Sequence, residues 1–175
     1  MARWNPWRAL RHTNVDLWFA PLDGRRGIWT RRGETDEILL EECLGRQERR
    51  EVLAHELVHH ERGIGWPAAS VATMELEEDR VWRIALARLA PPTEVTAFLV
   101  RRSTVGPITV ADLAEEFDLS LGAAARVAHL RSLATAGSER GFVDPETMES
   151  EGDPSGELDL SDGAVPHCLS VEDAQ

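Results

Sequence analysis

The chain of 175 residues contains no lysine and no tyrosine, only two cysteines, and no long apolar run. Without an uninterrupted apolar stretch of about 20 residues, no membrane-spanning helix is expected. The first residues, Met1 to Arg8, are basic but lead into no continuous apolar segment, so a secretory leader is not expected and a cytoplasmic location follows. Cys43 and Cys168 lie far apart, one of them near the end of the chain, which suggests neither a disulfide framework nor a cysteine-based metal site. The missing lysine leaves arginine to carry all fixed positive charge, a bias that fits GC-rich coding rather than a particular activity. The missing tyrosine removes one common donor from any reaction that builds charge on a carbonyl oxygen. What is present, 42% hydrophobic residues, is enough for one folded core with a small appendage.

The net charge of −12 is unevenly spread. Ten of those twelve charges fall in residues 138–175, where eleven Asp or Glu face Arg140 alone. This stretch is rich in Gly, Ser, Pro and acid and poor in large apolar residues, the composition of a disordered tail. Its simplest role is solvation; the alternatives are a nucleic-acid mimic or a segment that regulates the protein by occupying a basic groove.

The stretch with chemical content is His55-Glu56-Leu57-Val58-His59. Residues four apart on an α-helix stand one turn above each other, so both imidazoles can reach one tetrahedral metal from the same face. Glu56, beside the first ligand, is then placed to act as general base toward a water made acidic by the ion. No Gly or Pro interrupts the chain from about Gln47 to Arg62, and Val52, Leu53, Leu57 and Val58 supply an apolar side, so a helix is expected there. Gly63 and Gly65, with Pro67 following, end it. His60 points roughly 100° away from His59 and is expected behind the ligands or at the surface.

A third ligand is available on the next helical segment, roughly Ser70 to Leu89, among Glu75, Glu77, Glu78 and Asp79. Helical spacing aligns Glu78 with Met74, Val81 and Ala85, which turns it toward the core and makes it the first choice; Glu75, one turn earlier, is the second. Glu77 and Asp79 read as solvated charges beside Arg80 and Arg83. Two histidines and one glutamate would leave a fourth position open for water, the arrangement of catalytic rather than structural zinc.

The run from Arg50 to Gly63, followed by Glu78-Asp79-Arg80-Val81 and by Ala85 to Pro91, resembles the ImmA/IrrE-type metallo-endopeptidases, in a version similar to those encoded by phages and prophages. The resemblance covers roughly Val15 to Leu133. It implies zinc ligands at His55, His59 and Glu78, a catalytic Glu56, and hydrolysis of peptide bonds in DNA-binding regulators such as phage or mobile-element repressors.

Upstream, Val15, Leu17 and Phe19 alternate with Asp16, Trp18 and Ala20; a turn at Pro21 to Gly24 leads to a second run at Gly27 to Thr30, and Ile38 to Leu40 makes a third. The expected fold is α+β: a small antiparallel sheet packed on the metal-binding helix, with Ile38 to Leu40 as an exposed edge strand able to hold substrate in extended form. Among six tryptophans, Trp66 sits in the Gly/Pro loop after that helix and is the one expected to line a cleft. With tyrosine absent, an oxyanion donor would have to come from His12, His60, His129 or an arginine, or the ion itself would carry that charge; the residues leave this open.

Downstream, Thr109 and Asp112 make a capping pair for a helix to about Phe117, and Asp118-Leu119-Ser120 turns into a second helix from Leu121. The outline is helix-turn-helix. However, Leu121 to Leu130 offers only Arg126 and His129 to a nucleic acid, with Arg131 just beyond, while Asp112, Glu115, Glu116 and Asp118 would repel phosphates. The expected organisation is thus a zinc metallopeptidase core over 1–92, a helical subdomain over 93–137 that closes the cleft or receives a protein partner, and the tail. Neither direct nucleic-acid binding nor membrane association is expected. The leading expectation is a zinc-dependent endopeptidase; a non-catalytic protein that sequesters a repressor, and a DNA-binding regulator, are the other readings.

Overall fold

The arrangement is set by one helix buried on two sides. The structure, a computed structural model, describes residues 3–63, 71–104 and 106–139. Trp66, Gly65, Pro67 and residues 140–175 of the expected tail lie outside the described residues. The elements are α1 (Pro6–Leu10), β1 (Val15–Ala20), β2 (Gly27–Arg32), β3 (Thr35–Glu41), α2 (Arg46–Arg62), α3 (Val71–Leu89), α4 (Pro92–Ser103), α5 (Val110–Phe117) and α6 (Leu121–Glu139). The fold is α+β.

Helix α2 forms where no Gly or Pro interrupts the chain. The Glu48 carboxylate accepts the Gly45 N–H at 3.0 Å, satisfying one amide at the start of the helix. Gly63 ends it in the left-handed region, φ 63°, with its N–H donating to the carbonyls of His59 and His60. On one side, Val52, Leu53 and Leu57 join Val15, Ile38 and Leu40 of the sheet; on another, Ala54 and Val58 join a larger cluster from α3 to α6 that includes Val81, Ala85, Leu89, Phe98 and Phe117. Each fully buried Val, Leu or Phe in these clusters contributes about 1.5–3 kcal/mol. Helix α2 therefore has apolar contacts on two faces, leaving a narrow sector for polar side chains.

The sheet corrects two expectations. It is mixed rather than antiparallel, with strand order β1-β3-β2; β1 runs parallel to β3 and β2 antiparallel to it. Ile38 to Leu40 belong to the central strand, not an exposed edge. The reason is burial: Ile38 and Leu40 are fully enclosed, whereas Trp18 and Phe19 on β1 and Arg31 and Arg32 on β2 are at least partly in solvent. The central strand carries the two fully enclosed side chains, and the edge strands leave charged and aromatic residues partly in solvent. A tight hairpin at Gly33, φ 66°, joins β2 to β3, with the Arg31–Asp36 ion pair at 2.7 Å beside it. Phe19, near the end of β1, is 46% exposed under the Arg49 guanidinium.

The downstream helices are tied to α2 by polar contacts. Ser120, at the start of α6, donates through its N–H (2.5 Å) and Oγ (2.8 Å) to the buried Glu51 carboxylate. Arg50 donates to the carbonyls of Phe117 and Asp118 at 3.1 and 2.9 Å. The Thr109–Asp112 capping pair is present, and Asp118 adopts the left-handed conformation that ends α5. The expectation that Cys43 and Cys168 form no disulfide falls on Cys168, which lies outside the described residues. No helix among the described residues is long and apolar enough to cross a membrane.

Candidate metal centre

His55 and His59 leave α2 through its polar sector, one turn apart, with their Nε2 atoms 3.1 Å from each other. Helix α3 brings Glu78 against both: one carboxylate oxygen lies 3.2 Å from His55 Nε2 and the other 3.0 Å from His59 Nε2. Among the described residues these three form the group able to hold a metal ion, with one ligand atom from each within 4.8 Å of the others. Glu75, the second choice, is exposed on α3 and outside that group, and Glu77 pairs with Arg62 across to α2. Val81 and Ala85, the neighbours that align Glu78 inward, are fully buried, but Glu78 itself opens to the cleft with its side chain 43% exposed rather than facing the core.

The donor set fits zinc. With bonds of about 2.0–2.1 Å, a tetrahedral ion holds its ligand atoms about 3.3 Å apart, close to the 3.1 Å between the two imidazole nitrogens; Glu78 reaches the two rings through different oxygens, at 3.2 and 3.0 Å. Two imidazole nitrogens turned toward each other and a carboxylate oxygen are also an awkward trio unless a cation or shared proton lies between them. His55 is buried, and its other ring nitrogen, Nδ1, has no hydrogen-bond partner among the described residues. The ring is held instead by packing: Trp82 of α3 lies 4.3 Å from it, centroid to centroid.

Titration follows these surroundings. Burial lowers the His55 pKa, against the hydrogen bond to Glu78 that raises it. Burial also pulls on His59, but the Glu78 hydrogen bond and the charges of Glu78, Glu56 and Glu77 outweigh it, and its pKa rises. Hydrogen bonds from His55 and His59 hold Glu78 far below the usual carboxylate range. Glu56 moves the other way, pushed up to about 7 chiefly by burial, with His59 and the Trp29 backbone N–H pulling it back. A carboxyl group poised there can exchange a proton near neutral pH.

The Glu56 position depends on β2. The carbonyl of Arg26 accepts the Glu41 N–H at 3.0 Å, and bonded residues alternate along an antiparallel pair. Gly27 and Trp29 therefore turn their backbone groups to the free edge, where the Trp29 N–H meets the Glu56 carboxylate. A Cβ on Gly27 would come within 2.4 Å of Val52 Cγ1 and 2.7 Å of Glu56 Oε1, so only glycine permits this approach of strand to helix. A cleft of about 530 Å³ opens here, lined by Arg25, Gly27, Trp29, Glu56 and the three candidate ligands.

Two participants are not evident from the sequence: Gly27, which reads only as a strand start, and Arg25 at the cleft. Gly27 had a local signal, glycine inside a strand, which often marks close backbone approach. Of the open candidates for an oxyanion donor, His60 packs edge-on against Trp29 with its Nδ1 3.1 Å from Asp36, His12 is exposed after α1, and His129 lines a separate cavity beside Glu78. The chain matches no family model, and no curated protein matches it.

Proposed function

We propose that this protein is a zinc-dependent endopeptidase of the ImmA/IrrE kind, with His55, His59 and Glu78 holding the ion and Glu56 acting as general base. The observation that carries the proposal is the convergence of two imidazole nitrogens and a carboxylate, 3.0–3.2 Å apart, beside a buried carboxyl group and an open cleft. Zinc, when bound, polarises the peptide carbonyl and acidifies water. The chain's own residues do the rest. Glu56, with its pKa near 7, takes a proton from the attacking water and delivers it to the departing amine nitrogen. The Trp29 N–H fixes the Glu56 carboxylate, and the free edge of β2 offers main-chain donors and acceptors to a peptide laid alongside it in extended form. Because Gly27 carries no side chain, β2 lies close against α2, which brings its free edge near the base.

The resemblance to repressor-cleaving peptidases makes a DNA-binding repressor the proposed substrate and the cytoplasm the proposed location. Elemental mass spectrometry should find about one zinc per chain in the wild type and its loss in Glu78→Gln. Glu56→Gln should keep the zinc while hydrolysis falls by about 10³-fold or more. If Glu56→Gln still relieves repression in cells, the protein acts by sequestering its partner, and the peptidase proposal fails.

A further inference from the structure

A second cavity, about 380 Å³, opens between α3 and α6 and shares Glu78 with the metal cleft, so the two are adjacent. It is lined by Asp79, Trp82 and Arg83 from α3 and by Arg126 and His129 from α6. Its two carboxylates and two guanidiniums balance formally but are not paired equally. Arg83 pairs with Asp79 at 2.6 Å within α3, and Glu78 is engaged by both histidines. Arg126 is exposed and has no carboxylate partner among the described residues; its guanidinium instead rests on Trp82, 5.1 Å from the ring centroid. A guanidinium seated on an aromatic face is oriented by the ring while the N–H donors at its rim stay available. Trp82 also packs against His55, so one ring fixes Arg126 relative to a candidate ligand. Leu86 and Leu130 complete the lining with apolar surface.

We infer that this cavity is a substrate subsite that selects an aspartate or glutamate side chain flanking the bond to be cut, with Arg126 as its specificity-determining residue. The inference rests on the proposed peptidase activity. A carboxylate suits the site better than a nucleic-acid backbone: a phosphate chain needs several cations in a row, whereas this cavity has one arginine without a carboxylate partner among the described residues and carries Asp79 and Glu78 in its wall. The apolar lining would take the stem of the acidic side chain while Arg126 binds its carboxylate through paired N–H donors.

The test uses full-length, zinc-loaded wild type, Arg126→Gln and Arg126→Glu, each incubated with a chymotryptic peptide library whose new termini are read by mass spectrometry. Wild-type cut sites should carry Asp or Glu at one fixed position, enriched about fivefold or more over the library; Arg126→Gln should lose the enrichment, and Arg126→Glu should shift it toward arginine and lysine. Cuts without acidic enrichment, or enrichment that survives in Arg126→Gln, overturn the inference. If the wild type makes no cuts, it is the peptidase proposal that fails, and binding then decides the subsite. In calorimetry at low salt, the blocked peptide Ala-Leu-Glu-Leu-Ala should bind wild type about tenfold more tightly than its Gln counterpart, with the difference gone in Arg126→Gln. Equal affinities for the two peptides overturn the inference.

Discussion

The two walls of the cleft are built from different parts of the chain's chemistry. On the sheet side, β2 presents main chain: Gly27 has no side chain, and the Trp29 N–H reaches Glu56. On the helical side, α3 and α6 present side chains: Glu78 against the histidines, Trp82 against His55, and Arg126 over Trp82. Main-chain groups are the same in every peptide, so the sheet wall suits recognition of an extended backbone whatever its sequence. Side chains differ, so the helical wall is where selectivity and tuning of the metal site are concentrated. Glu56 sits where the walls meet, which is why its environment is drier than that of Glu78 on α3.

The comparison can be sharpened first at Glu56. Its folded pKa is raised above its unfolded value, so in the metal-free protein its protonated form favours folding; that stability is fully present below about pH 4.5 and is lost as pH rises to about 7. After chelation, Glu56→Gln should therefore be more stable than wild type at pH 8 by about 3 kcal/mol, with the gap closing below pH 4.5. Thermal melts across this range check it, and a gap independent of pH would refute it. Next, Gly27→Ala adds a methyl where Val52 and Glu56 leave no room, and should cost about 2 kcal/mol in denaturant unfolding while lowering hydrolysis. An undisturbed Gly27→Ala variant would mean that the sheet wall is not a close-fitting surface. On the other wall, Trp82→Leu removes the ring that holds His55 and should weaken zinc binding about tenfold in competition with a chelating dye, without unfolding the protein. The smallest effect belongs to Glu75→Gln: exposed and outside the ligand group, it should change stability by no more than about 0.5 kcal/mol and leave zinc content as it is.

The difference between the walls also explains what could be read in advance. Helix α2, its stop at Gly63, and the His55–Glu56–His59 spacing are local patterns, settled by residues within a turn or two of each other. The Thr109–Asp112 cap and the start of α6 were legible for the same reason. Glu78 was ranked over Glu75 from helical spacing alone, because Val81 and Ala85 mark the buried face of α3. Helix α1 was overlooked although Asn5 and Pro6 form an ordinary helix start, with the Asn5 side chain accepting the Trp7 and Arg8 amides. Strand order was misjudged because three short runs can pair in several ways, and only the competition for burial puts Ile38 and Leu40 in the centre.

By itself, then, the sequence determined α2 and the chemistry it offers: a helix whose polar sector carries two imidazoles and a carboxylate, in a chain without tyrosine to assist them. Only the tertiary structure decided which glutamate meets the histidines, that β2 rather than β3 is the strand beside Glu56, and that Trp82 and Arg126 stand against the site. Helical spacing is an interaction over four residues and is written in the chain, whereas these contacts join residues far apart in sequence and exist only because α2 is buried between a sheet and a helical layer.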